Sequence, residues 1–278
     1  MSPVEQNIRK KIQSCGVVLS EWNLAINYGI KTGCNDAFII STEKKDELIA
    51  ADLKSAELIR PILRGRDVKR YGFTFANQWI IATFPSRKYD IDQYPAIKQY
   101  LLSFGMERLE QTGATHIIDG VSVKSRKKTK NKWFETQDSI SYWNEFFKHK
   151  IIWGNLALSA QFTWAEEGYF INAPSSMIVP GNKYLLAVLN SKLADWYIRQ
   201  LGVTRNGGYF EYKPMFVEQL PVPMLDEKAQ IPYIRLVDKI LEEKRALNDT
   251  QLLESEINQR VYALYHLSEE EIRYIESQ

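Results

Sequence analysis

The segment from Gly202 to Tyr212 (GVTRNGGYFEY) constrains the fold more than any other part of the chain. It has three glycines among eleven residues, which favours a loop over a helix or a strand. Several of its side chains can hydrogen-bond to the edge of a nucleic-acid base or stack on its face, namely Thr204, Arg205, Asn206, Tyr209 and Tyr212. A core segment would not have this composition, so we expect an exposed loop with polar groups available for binding.

A second unusual segment runs from Lys124 to Trp133 (KSRKKTKNKW) and contains six lysine or arginine residues and no acid. Basic residues at this density favour contact with phosphate groups, which positions a nucleic acid without reading its sequence. The alternative is a solvated loop, which is the usual role of a charge run. We predict contact with nucleic acid for the whole segment, that is for Lys124, Arg126, Lys127, Lys128, Lys130, Lys132 and Trp133.

The net charge of +2 over 278 residues hides an asymmetry along the chain. From Asp226 onward there are seven basic and twelve acidic residues, whereas the first 225 residues contain 29 basic and 22 acidic ones. This distribution indicates a basic binding portion followed by an acidic helical portion. The two prolines of Leu220-Pro221-Val222-Pro223 stiffen the chain between them, so we place a boundary near Met224 and expect regions 1–224 and 225–278.

The composition also excludes several classes of protein. Cys15 and Cys34 are too few for a disulfide framework or a cysteine-based zinc site, and His116, His149 and His266 lie far apart, so we expect no metal site. No apolar run approaches the length that spans a bilayer, and the polar N-terminal sequence lacks the apolar core of a secretory signal. We therefore expect a soluble protein of the cytoplasm.

Hydrophobic periodicity predicts an α+β fold with a mixed sheet and packed helices, because the strands do not alternate regularly with helices. Strands are expected at 22–30, 37–40, 78–84, 150–153, 162–165, 169–172 and 176–179. Helices are expected at 3–13, 43–51, 55–63, 95–104, 182–200, 231–247, 251–265 and 268–276. Ser268 and Glu271 have the spacing of a capping box at the start of the last helix.

Two polar turns and one strand end add candidate binding residues. Gly33 is expected to take a positive φ in a turn that presents Lys31 and Thr32. The segment 64–70 (RGRDVKR) contributes Arg64, Arg66, Lys69 and Arg70, although it could be an ordinary helix exit with Gly65 as its cap and Asp67 paired to an arginine. Asn155 is expected to project from a sheet end, just beyond Trp153 in the core.

Six ordered blocks of sequence resemble one known family. They are 29–40 (GIKTGCNDAFII), 59–72, 133–155, 171–179 (INAPSSMIV), 184–202 and 218–223 (EQLPVP), and they resemble the TaqI-like C-terminal specificity domain of bacterial N6-adenine DNA methyltransferases. This target-recognition domain also occurs in single-chain type IIG restriction-modification enzymes. The segment 252–276 is similar to the helices with which those polypeptides often end, so the resemblance extends from about Pro3 to Glu276.

The resemblance implies a division of labour within a longer enzyme. A separate catalytic domain, on the same polypeptide or on a partner subunit, would bind S-adenosylmethionine, and this domain would select a site on double-stranded DNA. The chain contains neither an Asn-Pro-Pro-Tyr nor an Asp-Pro-Pro-Tyr motif, and the nearest string, Asn172-Ala173-Pro174, lacks the second proline and the aromatic residue. We therefore expect no cofactor site and no methyl transfer by this chain alone.

Thr204, Arg205 and Asn206 are the best candidates for reading bases, because arginine pairs with guanine and asparagine with adenine in the major groove. Their segment could instead be a flexible exit from the preceding helix or a surface that packs on the catalytic domain. Two other functions stay open. The Glu-x-Lys strings at 211–213 and 242–244 match half of a nuclease motif, and the C-terminal helices could form an interaction scaffold within a restriction-modification complex.

Overall fold

The structure is a computed structural model that describes residues 2–278, and it confirms the α+β fold class. The helices are α1 (Pro3–Cys15), α2 (Asn35–Phe38), α3 (Thr42–Ala51), α4 (Pro95–Leu102), α5 (Met106–Leu109), α6 (Lys183–Leu189), α7 (Lys192–Arg199), α8 (Pro214–Val217), α9 (Glu227–Arg245), α10 (Gln251–Leu264) and α11 (Glu269–Glu276). The strands are β1 (Val17–Val18), β2 (Ala25–Tyr28), β3 (Ile39–Ser41), β4 (Ile59–Leu63), β5 (Val68–Lys69), β6 (Gly72–Phe73), β7 (Gln78–Ile81), β8 (Thr115–Ile118), β9 (Val121–Lys124), β10 (Lys150–Gly154), β11 (Leu156–Ala157), β12 (Phe162–Ala165), β13 (Phe170–Ile171), β14 (Ser175–Val179), β15 (Phe210–Glu211) and β16 (Pro221–Val222).

Two four-stranded sheets form the centre of the molecule. One is antiparallel throughout and has the order β12-β10-β14-β2, with Ile151 paired to Ile178. The other has the order β13-β4-β7-β3 and is mixed, because β13 runs parallel to β4 whereas the other pairs are antiparallel. A bridge between Ile30 and Asn172 joins the two sheets. The predicted mixed sheet is therefore present, and the turns that follow several strands meet where the sheets adjoin.

The largest hydrophobic core lies between the antiparallel sheet and the helices. It combines Ile151 and Trp153 of β10 with residues of α6, α9 and α10, including Leu185, Ile240 and Val261. The C-terminal helices thus share a core with the sheet that precedes them. α1 belongs to the same core and contacts α11, where the Lys11 ammonium lies 2.6 Å from a Glu271 carboxylate oxygen and Tyr274 donates a 2.6 Å hydrogen bond to Glu5.

The prediction of one continuous helix at 182–200 is wrong, because the segment forms two helices, α6 and α7. Asn190 ends the first helix, and its amide group bonds to both the N–H and the C=O of Phe162 at 3.0 and 2.9 Å. Ser191 then acts as an N-cap, accepting a hydrogen bond from the Ala194 N–H. The apolar face predicted from Leu185 to Tyr197 is nevertheless buried in the core.

Two shorter segments also differ from the predicted secondary structure. Residues 55–63 form the end of a 3₁₀ turn followed by β4 rather than a helix, because Pro61 lacks the N–H that a helix interior requires. Residues 37–40 begin in the short helix α2 and enter β3 only at Ile39. The capping box of Ser268 and Glu271 and the helices at the C-terminal end are present as predicted.

Candidate nucleic-acid interface

A continuous groove crosses the face on which the turns of both sheets meet. Its central part has a volume of about 580 Å³ and is lined by residues 64–69, by the end of β10 and by Asn172–Pro174. Asn155 and Pro174 also line a neighbouring pocket beside Thr204, Arg205 and Asn206, whereas Asn172 and Ala173 line another beside Lys31. The groove thus brings together candidates from distant parts of the sequence, namely Lys31, Arg64, Arg66, Lys69, Asn155, Thr204, Arg205, Asn206 and Tyr209.

Two glycines allow the turn at residues 64–69 to lie against β10. A Cβ atom added to Gly154 would lie 3.2 Å from the Gly65 carbonyl oxygen, which is closer than side chains normally approach a backbone. The predicted internal pair is present, because Arg64 donates hydrogen bonds of 2.9 and 2.8 Å to the Asp67 carboxylate. The segment follows strand β4, not a helix as in the alternative reading of the sequence. Arg66 and Lys69 are exposed to solvent.

The loop at 204–209 is closed by a hydrogen bond of 2.7 Å from the Arg205 N–H to the Tyr209 carbonyl. Thr204, Asn206 and Tyr209 are exposed in it. Glu211 follows in β15 and is 4 % exposed. The Glu211 carboxylate accepts a hydrogen bond of 2.5 Å from Arg205 Nε and lies 3.0 Å from Lys213 Nζ. The hydrogen bonds from Lys213 and Arg205 lower the pKa of Glu211, so this carboxylate is charged at neutral pH.

Asn155 connects the end of β10 to this loop, and it is buried at 8% exposure rather than projecting from the sheet end as predicted. Its backbone carbonyl accepts a 2.9 Å hydrogen bond from the Tyr212 N–H, and its side-chain oxygen accepts one from Ser176 Oγ at 2.9 Å. Trp153 lies in the core as predicted, with its indole N–H donating to the Tyr212 carbonyl at 2.6 Å. The strand end therefore fixes the position of the segment that carries Arg205.

The turn at residues 31–35 is stabilised by its own side chains. Gly33 has a φ of +78°, as predicted, and Thr32 Oγ1 donates to Asn35 Oδ1 at 2.7 Å. Thr32 is fully buried in this arrangement, whereas Lys31 and Asn35 are exposed. The turn therefore presents an ammonium group and an amide group to the groove.

Arg126 anchors the basic segment to the rest of the fold. It is 4 % exposed, and its guanidinium donates hydrogen bonds of 2.5 to 2.8 Å to four backbone carbonyls, those of Thr32, Leu109, Trp133 and Glu135. Burial lowers the pKa of Arg126 to about 10. The lysines around it are exposed, namely Lys124, Lys127, Lys128, Lys130 and Lys132. Lys124 and Arg126 line a small pocket with Gly33–Asp36, so the basic segment adjoins one end of the groove.

Some predicted contact residues are buried or do not line the groove, and we remove them from the candidate interface. Thr32, Arg126 and Tyr212 are buried, the last with its hydroxyl donating to Asp195. Arg70 and Trp133 are partly exposed but lie outside the groove, where Arg70 Nε is 2.6 Å from the Glu254 carboxylate of α10 and Trp133 packs edge-on against Phe134. Residues that the sequence did not single out also line the groove, namely Asn35, Leu156, Leu158, Gln161, Pro174 and Lys213. Leu156 and Leu158 are about half exposed on either side of the buried Ala157. A short strand with alternating exposed and buried side chains was the only feature of the sequence that could have indicated them.

Within residues 2–278, no cluster of three histidine, cysteine or acidic side chains has the geometry of a metal site. His116 is paired with Glu110 at 2.7 Å and His149 with Glu166 at 3.1 Å. In the Glu-x-Lys string at 211–213, both carboxylate oxygens are occupied by cationic side chains. No helix in the same range is both long and apolar enough to cross a membrane.

The fold and the groove define a class of protein, an α+β domain whose loops and turns build a polar, partly basic binding face. Residues 60–222 match the TaqI-like C-terminal specificity domain, and the chain belongs to this family. Two solved structures share the fold. The type IIL restriction-modification enzyme MmeI, solved in complex with DNA, matches with a TM-score of 0.64 and 12% sequence identity over 93% of this chain and 36% of that chain.

The type IIG restriction endonuclease BpuSI matches with a TM-score of 0.52 and 15% identity over 94% of this chain and 32% of that chain. A search of curated proteins found no match. The chain thus spans about a third of the length of these two enzymes.

Proposed function

We propose that this chain is the DNA target-recognition module of a bacterial adenine-specific DNA methyltransferase or type IIG restriction-modification enzyme. The observation that carries the proposal is the groove, in which turns distant in sequence place exposed cations beside groups that can hydrogen-bond to bases. Membership of the specificity-domain family and the likeness to an enzyme solved in complex with DNA support it. The module would position a duplex so that a separate catalytic domain, with bound S-adenosylmethionine, flips and methylates an adenine.

The residues divide into two chemical roles. Exposed cations at the edges of the groove, such as Lys31, Arg66 and Lys69, suit phosphate oxygens and would set the register of the duplex. Thr204, Arg205 and Asn206 offer hydrogen-bonding groups at one end of the groove and would read base edges. The partners would be double-stranded DNA and the catalytic domain, and the working location would be the cytoplasm.

A selection experiment with a matched pair of variants tests this function. The purified chain is incubated with a library of randomised duplexes, and bound DNA is sequenced. We expect one site to be enriched, and we expect the double variant Arg66→Ala/Lys69→Ala to bind all duplexes more weakly because two exposed groove cations are removed.

The control is Lys228→Ala/Lys239→Ala, which removes two exposed lysines of α9 that do not line the groove. Equal losses in both double variants would show that the groove is not the binding surface. A folded chain that binds no duplex at low salt would contradict the proposed function and favour a scaffold role for the C-terminal helices.

A further inference from the structure

We propose that Glu211 is a positioning residue that holds the Arg205 guanidinium in the orientation that reads a guanine. This inference rests on the proposed DNA-recognition function. It concerns a buried carboxylate that faces the loop at residues 204–209 and contacts two partly exposed cations, Arg205 and Lys213.

The geometry leaves one edge of the Arg205 guanidinium free. Nε and Nη2 both contact Glu211 Oε1, which occupies the edge of the guanidinium that lies along the side chain. Among the described residues, the contacts of the guanidinium are made by Nε and Nη2 and none by Nη1, and the planar geometry directs the second N–H of Nη2 away from the carboxylate. Nη1 and Nη2 thus present two parallel donors at the tip of a side chain that is 56% exposed.

Two parallel donors match the O6 and N7 acceptors of guanine in the major groove. Adenine presents a donor beside its N7 acceptor, and the pyrimidines do not present two adjacent acceptors, so only guanine accepts both hydrogen bonds. An arginine that no carboxylate holds in place would lose the rotational freedom of several side-chain bonds when it binds DNA. It could also turn either edge of its guanidinium toward a phosphate. The contact with Glu211 removes much of that freedom before DNA binds.

Three features fix the position of Glu211, namely a strand pairing, an ion pair and burial. It belongs to β15, which pairs with β11 through Leu156. Its second carboxylate oxygen lies 3.0 Å from Lys213 Nζ, and its side chain is 4 % exposed. The carboxylate neutralises one of its two cationic neighbours, so the Arg205–Glu211–Lys213 cluster keeps a net positive charge that favours DNA.

The test is a graded series at position 211 in the complete chain. Glu211→Met preserves size but removes both acceptors, and Glu211→Gln keeps one acceptor oxygen. The library selection is repeated for each variant, and Arg205→Ala identifies the guanine by the position at which selection relaxes. We expect discrimination at that guanine to fall by about 5- to 150-fold in Arg205→Ala, as for removal of a bidentate hydrogen bond to a base. We expect nearly as large a loss in Glu211→Met and a smaller one in Glu211→Gln, with binding to unrelated duplexes retained.

Chemical substitution of the DNA provides an independent readout. Replacing the identified guanine by 7-deazaguanine removes the N7 acceptor, which should weaken binding by the parent chain but not by Arg205→Ala. Glu256→Met is the control, because Glu256 forms an exposed pair with Arg260 on α10, and its profile should equal that of the parent. Thermal unfolding shows which variants are folded. If Glu211→Met does not fold, Glu211→Gln tests the role of the carboxylate. Arg205→Lys, which lacks the two parallel donors, then tests the contact with guanine.

The outcomes separate this inference from the proposed function. If the parent chain selects a site but Arg205→Ala relaxes no guanine, the inference is wrong and the recognition function stands. If the folded position 211 variants keep the parent preference at the Arg205 guanine, Glu211 does not position Arg205. If the parent selects no site, both proposals are wrong.

Discussion

Replacement of Arg126 by alanine separates a structural role from a DNA-binding role. The side chain lies in the middle of the basic segment, yet its guanidinium donates to four backbone carbonyls and its charged carbon lies 5.0 Å from the ring centre of Phe38. The Thr32 and Glu135 carbonyls keep a second donor, the Gln137 N–H and Gln111 Nε2, whereas the Leu109 and Trp133 carbonyls lose the guanidinium as their partner. An unpaired buried carbonyl costs about 1–3 kcal/mol, so even the lower end of this range gives a loss of about 2 kcal/mol in the free energy of unfolding. This is a large fraction of the roughly 5–15 kcal/mol that stabilises a typical protein.

The assay is thermal unfolding followed by circular dichroism, combined with DNA-binding measurements at several salt concentrations. With about 2–4 °C per kcal/mol for a chain of this size, the Arg126→Ala variant should melt about 4–8 °C lower than the parent. The control is Lys127→Ala, because Lys127 is the exposed neighbour of Arg126, and this variant should have the same melting temperature as the parent. An Arg126→Ala variant with an unchanged melting temperature and a smaller salt dependence of DNA binding would refute the structural role and restore the predicted phosphate contact.

Three further predictions follow from the charges and the missing motifs. The variant Lys124→Ala/Lys127→Ala/Lys128→Ala/Lys130→Ala should reduce the slope of log affinity against log salt by about 0.9 for each phosphate group that the variant no longer neutralises, with site preference retained; an unchanged slope would make the segment a solvated loop. Lys150 is buried with its ammonium bonded to the carbonyls of Phe146, Lys148 and Glu166, and burial lowers its pKa to about 8 from 10.5. Between pH 8 and 10.5 the unfolded chain therefore holds more protons at this site, so urea unfolding should show the parent gaining stability relative to Lys150→Met as the pH rises, and parallel pH profiles would contradict this. The chain alone should neither bind S-adenosylmethionine in calorimetry nor methylate duplex DNA; a stoichiometric cofactor site would overturn the division of labour.

The sequence predicted best those features that depend on local patterns. The strands around Ile151 and Ile178, the C-terminal helices and the Ser268–Glu271 capping box all follow from short-range periodicity and spacing. The break between α6 and α7 could not be predicted in this way, because it depends on the bond between Asn190 and the backbone of Phe162, which is distant in sequence. Pro61 was a local signal against the helix predicted at 55–63, and the prediction gave more weight to hydrophobic periodicity than to this proline.

The candidate site shows the same limit. Composition indicated which segments carry binding groups, but it could not distinguish Arg126 from the lysines beside it, because burial of Arg126 depends on carbonyls contributed by Thr32 and Leu109. The role of Glu211 was equally hidden, because its contact with Arg205 depends on how the loop folds back onto β15. Lys213 lines the groove only through the same fold-back.

The groove combines exposed binding groups with buried groups that hold them, and the two sets have different consequences when changed. Asp67 is 7% exposed and braces Arg64, Glu211 braces Arg205, and Arg126 braces the lysine segment. Removing Arg126 takes the donor from buried carbonyls and so costs stability, whereas removing Asp67 or Glu211 frees a cation that the buried carboxylate holds in place and so changes the binding face. The exposed tips, by contrast, contact few other groups, and their replacement should alter DNA preference with little change in the free energy of unfolding. New specificity is therefore most accessible at Thr204 and Asn206, where the side chain is exposed and the neighbouring Arg205 N–H is bonded to the Tyr209 carbonyl.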